Sequence, residues 1–335
     1  MSIPELIAAA GAPLSAADTK TLFDAIFGGR LSEAEIIAYL SATADRKPAV
    51  AELVGAVTSM RAHMRSVEAP TDAIDLCGTG GDGLGTLNIS TAASFVIAAC
   101  GVPVAKHGNR SASSRSGAAD VLEALGVKIG PEPATAARVL AETGIVFLFA
   151  QTHHPAMKHV GGARKQIGRR TIFNLLGPLA SPARVRRQLA GVFSSDWLAP
   201  YAEALAALGS ERAWIVHGRD GLDEVSISGP TQVAMLEDGK VTVREITPEE
   251  AGLTRRPLAE IAGGDAAHNA TAIRRLLEAD APGAYHEIVL INAAAALIVA
   301  GKASTLSQGA ALADAAIRDG RAHDVFQKLK TASNA

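Results

Sequence analysis

Cysteine is almost missing from this 335-residue chain, which holds only Cys77 and Cys100. Two cysteines cannot supply the disulfide framework of a small secreted fold, and both read as small buried hydrophobes. Aromatic residues are scarce at 4%, with two Trp and three Tyr, so the core must be built from Ala, Val, Leu and Ile. Neither sign of charge dominates: 32 basic against 34 acidic residues leave a formal net charge of −2. That excludes a global basic field for nucleic acid, and any basic site must be local. No apolar run reaches the roughly 18–20 residues of a membrane span. Met1-Ser2-Ile3-Pro4-Glu5 lacks the basic start of a signal peptide. These absences predict a soluble cytoplasmic protein with no membrane partner. What remains is 48% apolar and 20% charged, enough for one large α/β domain and a smaller one.

Residues 1–66 carry helical periodicity only. Ser15 precedes a stripe of Leu22, Phe23, Ile26 and Phe27 that stops at Gly28-Gly29. Ser32-Glu33-Ala34-Glu35 is a capping-box start before Ile36, Ile37 and Leu40. A third helix begins near Pro48 and carries Leu53, Val54, Val57, Met60 and Met64. Such stripes need partners, either the larger domain or a second subunit. From Asp72 strands and helices alternate. Strands are expected at 73–77, 102–106, 127–129, 145–149, 212–217 and 225–228. Helices are expected at 91–100, 118–125, 133–142 and 287–300. Alternation of this kind predicts an α/β fold: a small helical domain, 1–66, packed on a larger α/β domain, 70–335, with a mainly parallel central sheet. Part of 160–185 is a candidate addition to the helical domain.

The strand ending at Cys77 runs into Gly78-Thr79-Gly80-Gly81-Asp82-Gly83-Leu84-Gly85-Thr86. So many glycines leave backbone N–H groups uncovered and form a nest for anionic oxygens. Asn88-Ile89-Ser90-Thr91 then opens a helix whose free N–H groups suit a phosphate. The spacing Gly78, Gly80, Gly83 formally matches a dinucleotide fingerprint. Yet the helix begins well past Gly83, and the next strand ends on Lys106 rather than on an acid for a ribose. No Gly-Lys-Ser/Thr follows, so the loop is not a Walker A loop. Lys106 starts a second polar loop, Lys106–Gly117, with cations, hydroxyls and bare backbone at a strand end. Two such loops on consecutive strands suggest a ligand with two separated phosphate groups.

His153-His154-Pro155 lacks the spacing and cysteine partners of a zinc site, and better suits the lining of a small pocket. Arg164, close to the apolar Ile172–Leu176 stretch, suits a planar carboxylate. Asp223-Glu224 follows a strand and a Gly-Leu turn. Beside phosphate-binding loops, such acids are natural Mg²⁺ ligands.

Several segments together resemble one family, anthranilate phosphoribosyltransferase: Gly78–Asp82 with Asn88–Thr91, Lys106–Arg110 with Ser116–Glu123, His154–Lys158, Arg170–Pro178, Gly221–Glu224 and Asn292–Leu297. The resemblance implies the fold type shared with pyrimidine nucleoside phosphorylases, a homodimer, and a step of tryptophan biosynthesis. In that step the 5-phosphoribosyl group of 5-phosphoribosyl-1-pyrophosphate (PRPP) passes to the anthranilate amine. It implies PRPP contacts from Gly78, Gly80, Gly81, Asp82, Thr86, Asn88, Ile89, Ser90, Thr91, Lys106, His107, Gly108, Asn109, Arg110, Ser111, Ala112, Ser113, Ser114 and Ala118. It implies anthranilate contacts from Gly78, Asn109 and Arg164, with His107, His154 and Pro178 lining the path. Ser90, Asp223 and Glu224 are implied ligands of Mg²⁺, with two ions per subunit. The sequence departs from the family pattern at Ala118, where a Ser is common, and at Leu87 and Cys77, more usually Phe and Val. Among these residues His107 is the expected acceptor of the amine proton. A pyrimidine nucleoside phosphorylase is the nearest competing reading, and the acids Asp82, Asp223 and Glu224 count against free phosphate. A nucleic-acid-binding relative would need a basic groove with stacking aromatics, which the composition does not offer.

Overall fold

The computed structural model describes residues 1–110, 115–280 and 282–335. Its centre, among those residues, is a seven-stranded sheet in the order β3-β2-β1-β4-β5-β6-β7. The strands are β1 (Ile74–Gly78), β2 (Val104–Gly108), β3 (Ile145–Phe149), β4 (Arg187–Gly191), β5 (Arg212–Gly218), β6 (Thr231–Glu237) and β7 (Lys240–Ile246). The first five run parallel, and β6 and β7 close the sheet as an antiparallel hairpin.

Local chemistry sets the helix ends. Ser15 accepts from the Asp18 N–H at 3.1 Å, and Ser32 caps helix Glu33–Ala42 with Glu35 answering its backbone N–H. Side chains of the β4–β6 strands alternate between two cores, as pleating requires. Leu189, Trp214, Val216 and Val233 face a core shared with helices Ile89–Ala99 and Ala284–Val299. Ala190, Ala213, Ile215, Ala234 and Leu236 face a second core built by the N-terminal helices, helix Leu198–Ala207 and residues 160–180. The N-terminal stripes therefore find their partners within the chain: Leu22, Phe23, Ile26, Ile36, Leu40, Leu53 and Val57 are buried in that second core.

Two expected strands are absent. Val127–Ile129 is a connecting segment between Gly126 and Gly130, with Val127 buried but no ladder partner. Residues 225–228 have strand-like alternation, yet side chains satisfy their backbone instead. Asn292 Oδ1 accepts from the Val225 N–H at 2.9 Å, and its Nδ2 donates to the Val225 carbonyl at 2.8 Å. The Ser226 N–H donates to Thr231 Oγ1 at 2.9 Å. Conversely β4 and the β6–β7 hairpin went unread, although Asp238-Gly239, with φ of +51° and +72°, is a strong two-residue turn signal.

Candidate functional site

The chain leaves β1 for β2 and β3 on one side and returns to β4 on the other. The carboxyl ends of β1 and β4 thus form the topological switch point, where α/β sheets bind ligands. Gly78 and Gly191, the last residues of these strands, are in register. The loop after β5 folds back across both. A Cβ on Gly191 would lie 1.5 Å from the Asp223 carbonyl oxygen, and one on Gly78 would lie 2.4 Å from Asp223 Oδ2. Two side-chain-free strand ends are what let the acidic loop lie on the sheet. Asn292 pins it from below at Val225. Asp220 shapes it from within, accepting from the hydroxyls of Ser226 and Ser228 and from the Leu222 N–H.

Both acids are stitched to the anion-type loops. Asp223 Oδ2 accepts from the Gly80 N–H at 2.9 Å, and Glu224 Oε1 accepts from the Ser90 N–H at 3.2 Å. Burial and the neighbouring charges of Glu224 and Asp82 push Asp223 up to about 8. Glu224 is pushed up to about 7, mainly by burial, with Lys106 opposing. Lys106, itself buried, donates from Nζ to Ser90 Oγ at 3.1 Å and to the Leu76 carbonyl. Asp82, Asp223, Glu224, Ser90 and Lys106 are therefore one electrostatic cluster at the mouth of the sheet.

Behind it, Asp75 is fully buried and accepts from the His107 N–H at 2.9 Å. Burial raises its carboxyl to about 6. The His107 and His154 rings lie 5.1 Å apart, both buried, and among the described residues His107 Nε2 has no hydrogen-bond partner. Burial and each other's proximity hold His107 well below the usual imidazole range, and burial with His153 nearby holds His154 at about 4. Pro178 is buried, its carbonyl accepting from Gln188 Nε2 at 2.7 Å. The Arg164 guanidinium lies 5.8 Å from the Phe173 ring centroid and, among the described residues, has no acidic partner.

Some expected residues stand differently. The Gly80 N–H is engaged by Asp223 rather than left open. Arg110 is held by Asp120 at 2.8 Å and Glu123 at 2.6 Å. Ala118 has its Cβ beside Gly108, where it contributes shape and no polar group. Asn109 and Arg110 are exposed, Gly108, Asp82, Thr86 and Asn88 half-buried, and Ile89 and Thr91 buried at the helix start. Ser111, Ala112, Ser113 and Ser114 lie outside the described residues. Sequence reasoning missed Gly191, an isolated glycine inside the apolar stretch 189–193. It also missed Asp75, and Arg170 as a clamp on the glycine loop. Arg170 stacks 4.1 Å from the Phe193 ring centroid and donates to the Gly81 carbonyl. No local pattern announces such partners.

The glycine loop and the two acids thus face one another at the switch point of the sheet, as in an α/β enzyme that takes an anionic ligand. The chain matches the glycosyl transferase family, a/b domain, over residues 70–323 and the glycosyl transferase family, helical bundle domain, over residues 7–64. It is 54% identical to the anthranilate phosphoribosyltransferase of Azorhizobium caulinodans over 327 residues, 98% of this chain and 95% of that protein. The crystal structure of anthranilate phosphoribosyltransferase from Thermus thermophilus superposes with a TM-score of 0.93 at 40% identity, covering 99% of both chains. The Saccharomyces cerevisiae enzyme in complex with PRPP and Mg gives a TM-score of 0.87 at 27% identity, over 96% of this chain and 94% of that one. The chain belongs to the anthranilate phosphoribosyltransferase family.

Proposed function

We infer that this protein transfers the 5-phosphoribosyl group of PRPP to the anthranilate amine, giving N-(5-phosphoribosyl)anthranilate and pyrophosphate in tryptophan biosynthesis. The observation that carries the reading is the convergence of Asp82, Asp223 and Glu224 on an anion-binding loop. Carboxylates repel phosphates, so the arrangement makes chemical sense for a metal–pyrophosphate substrate and not for free phosphate. Among the described residues, no three His, Cys, Asp or Glu side chains form a cation site by themselves. Two carboxylates and the Ser90 hydroxyl are hard oxygen donors that leave positions for phosphate oxygens, which fits Mg²⁺. Asp223, Glu224 and Ser90 would hold it, two ions per subunit being part of the proposal. When bound, Mg²⁺ neutralises charge on the pyrophosphate leaving group.

The chain's own residues do the rest. The glycine loop and the start of helix Ile89–Ala99 orient the phosphates through backbone N–H groups. Lys106 supplies a fixed positive charge beside Ser90. Burial holds His107 neutral near pH 7, and its Nε2, without a partner among the described residues, can take the proton of the attacking amine. An aromatic amine is already a neutral nucleophile, so positioning dominates the rate. Incubation with PRPP, Mg²⁺ and anthranilate tests the reading through loss of anthranilate fluorescence. No consumption, or phosphorolysis of pyrimidine nucleosides instead, would overturn it.

Arg164 has a desolvated charge and, among the described residues, no carboxylate partner, which supports its assignment to anthranilate. Arg164→Ala should raise the anthranilate KM by about tenfold to a hundredfold, the loss of one charge-assisted contact, while the PRPP KM changes little. Equal weakening of both substrates would move Arg164 out of the anthranilate site.

No helix among the described residues is long and apolar enough to cross a membrane. A cytoplasmic enzyme is part of the same proposal, and so is a homodimer formed through the helical region. Most apolar stripe residues are consumed inside the chain. Half-buried Ile3, Ile7, Ile37 and Val54 are what support a contact there. Sedimentation of an active preparation at micromolar concentration should give twice the chain mass, and a monomer refutes this arrangement.

A further inference from the structure

We propose that Asn269 is a positioning residue that fixes which end of the Asn88 side-chain amide faces the phosphates; this rests on the reading of the site given above. Asn88 immediately precedes helix Ile89–Ala99, and its side chain makes no capping hydrogen bond there. Asn269 belongs to helix Ala266–Leu277 and is buried at 2% exposure.

A chain of hydrogen bonds with only one possible polarity joins them. The Gly264 N–H donates to Asn269 Oδ1 at 2.8 Å. A backbone N–H can only donate, so the atom it meets must be the amide oxygen, and the other end of Asn269 must be its NH₂. That NH₂ donates to Asn88 Oδ1 at 2.8 Å. Asn88 is thereby left with its own NH₂ as the free end, and no acceptor among the described residues takes it. The donor stands between the glycine loop and the helix start, where an anion gains from it. The reversed amide would set a carbonyl oxygen against phosphate oxygens.

The source of this polarity is rigid. Gly85–Leu87 and Ile261–Gly263 clip together through the Thr86–Ala262 bridge. The Leu87 N–H donates to the Ile261 carbonyl at 2.9 Å, and the Gly263 N–H to the Gly85 carbonyl at 2.8 Å. A Cβ on Gly263 would lie 2.4 Å from the Thr86 carbonyl oxygen, so the strap runs flush against the loop. The Tyr285 hydroxyl holds the Asn88 carbonyl at 3.1 Å.

The test is a thermodynamic cycle read by PRPP titration calorimetry in Mg²⁺. Asn269→Asp keeps the shape and still accepts from Gly264, but it can no longer donate. Asn88 then turns its NH₂ to Asn269→Asp and presents oxygen to the ligand. PRPP binding should weaken about tenfold to a hundredfold, the scale of a hydrogen bond to a charged group. The anthranilate KM and the melting temperature should stay close to the parent values. In an Asn88→Ala background there is no amide to orient, so adding Asn269→Asp should change PRPP binding little. Equal weakening with and without the Asn88 amide would assign the effect to added charge or to folding and overturn the proposal. Parent-like binding by Asn269→Asp would overturn it as well. If Asn269→Asp does not fold, the neutral Asn269→Ser, too short to reach Asn88, enters the same cycle. It frees the amide without reversing it, so PRPP binding should weaken by only about twofold to tenfold, and this loss should vanish in the Asn88→Ala background. Parent-like binding, or equal weakening in both backgrounds, would overturn the proposal. A parent protein that binds no PRPP refutes the functional reading itself, and this proposal with it.

Discussion

Gly191→Ala is expected to lower transferase activity by about a hundredfold to a thousandfold while the protein still folds. The added Cβ would sit 1.5 Å from the Asp223 carbonyl oxygen. The carbonyl must withdraw by about 1.5 Å merely to clear 3.0 Å, a distance Cβ contacts essentially never undercut. Gly191 pairs in register with Val216 of β5, so the strand is held and the loop is what yields. Displacement breaks the Asp223–Gly80 and Glu224–Ser90 links together, because both acids ride on that segment. Gly229→Ala, on the same connection between β5 and β6, has nothing within 4 Å of its added Cβ and serves as the control. Activity, PRPP affinity and melting temperature of the two variants should be compared side by side. If Gly191→Ala retains activity within threefold of Gly229→Ala, the acidic loop does not need its present seat.

The second large effect concerns the acids themselves. Asp223→Asn with Glu224→Gln should shift the Mg²⁺ dependence of activity upward by at least about tenfold, with a lower plateau, since hard cations prefer charged oxygens. The fold should survive. The two carboxylates are raised to about 8 and about 7 by burial and by crowding with Asp82, so neutral amides relieve a repulsion. Binding of anthranilate should change less, because Arg164 belongs to different elements, near Phe173. A Mg²⁺ titration at fixed PRPP decides it. Coincident midpoints and plateaus for parent and double variant would make the pair an electrostatic feature of the loop and not a cation site.

The order in which these features became legible follows from the range of the forces that create them. Helix starts at Ser15 and Ser32 were readable because a cap is satisfied within three residues. The glycine loop was readable for a related reason: positive φ at Gly80, Gly81, Gly83 and Gly85 is a local steric requirement. Strands β1, β2, β3 and β5 announced themselves as short apolar runs between turn residues. Residues 225–228 deceived because an apolar–polar alternation does not show what pairs with the backbone. Burial is genuine for Val225, Ser226 and Ile227, but Asn292, more than sixty residues away, supplies the hydrogen bonds. The resemblance of whole segments carried the family, and with it the roles proposed for the site residues, which composition and spacing alone could not assign.

By itself the amino-acid sequence determined part of the local structure: the helix starts at Ser15 and Ser32, the left-handed turns of the glycine loop, and four of the strands. Each depends on sterics and hydrogen bonds within a few residues. Only the tertiary structure decided that β4 lies beside β1, that Gly78 and Gly191 together seat Asp223, that Arg170 clamps Gly81, and that Gly264 sets the direction of the Asn88 amide. These depend on which distant segments the two cores press together. A packing outcome of that kind leaves no periodic trace along the chain.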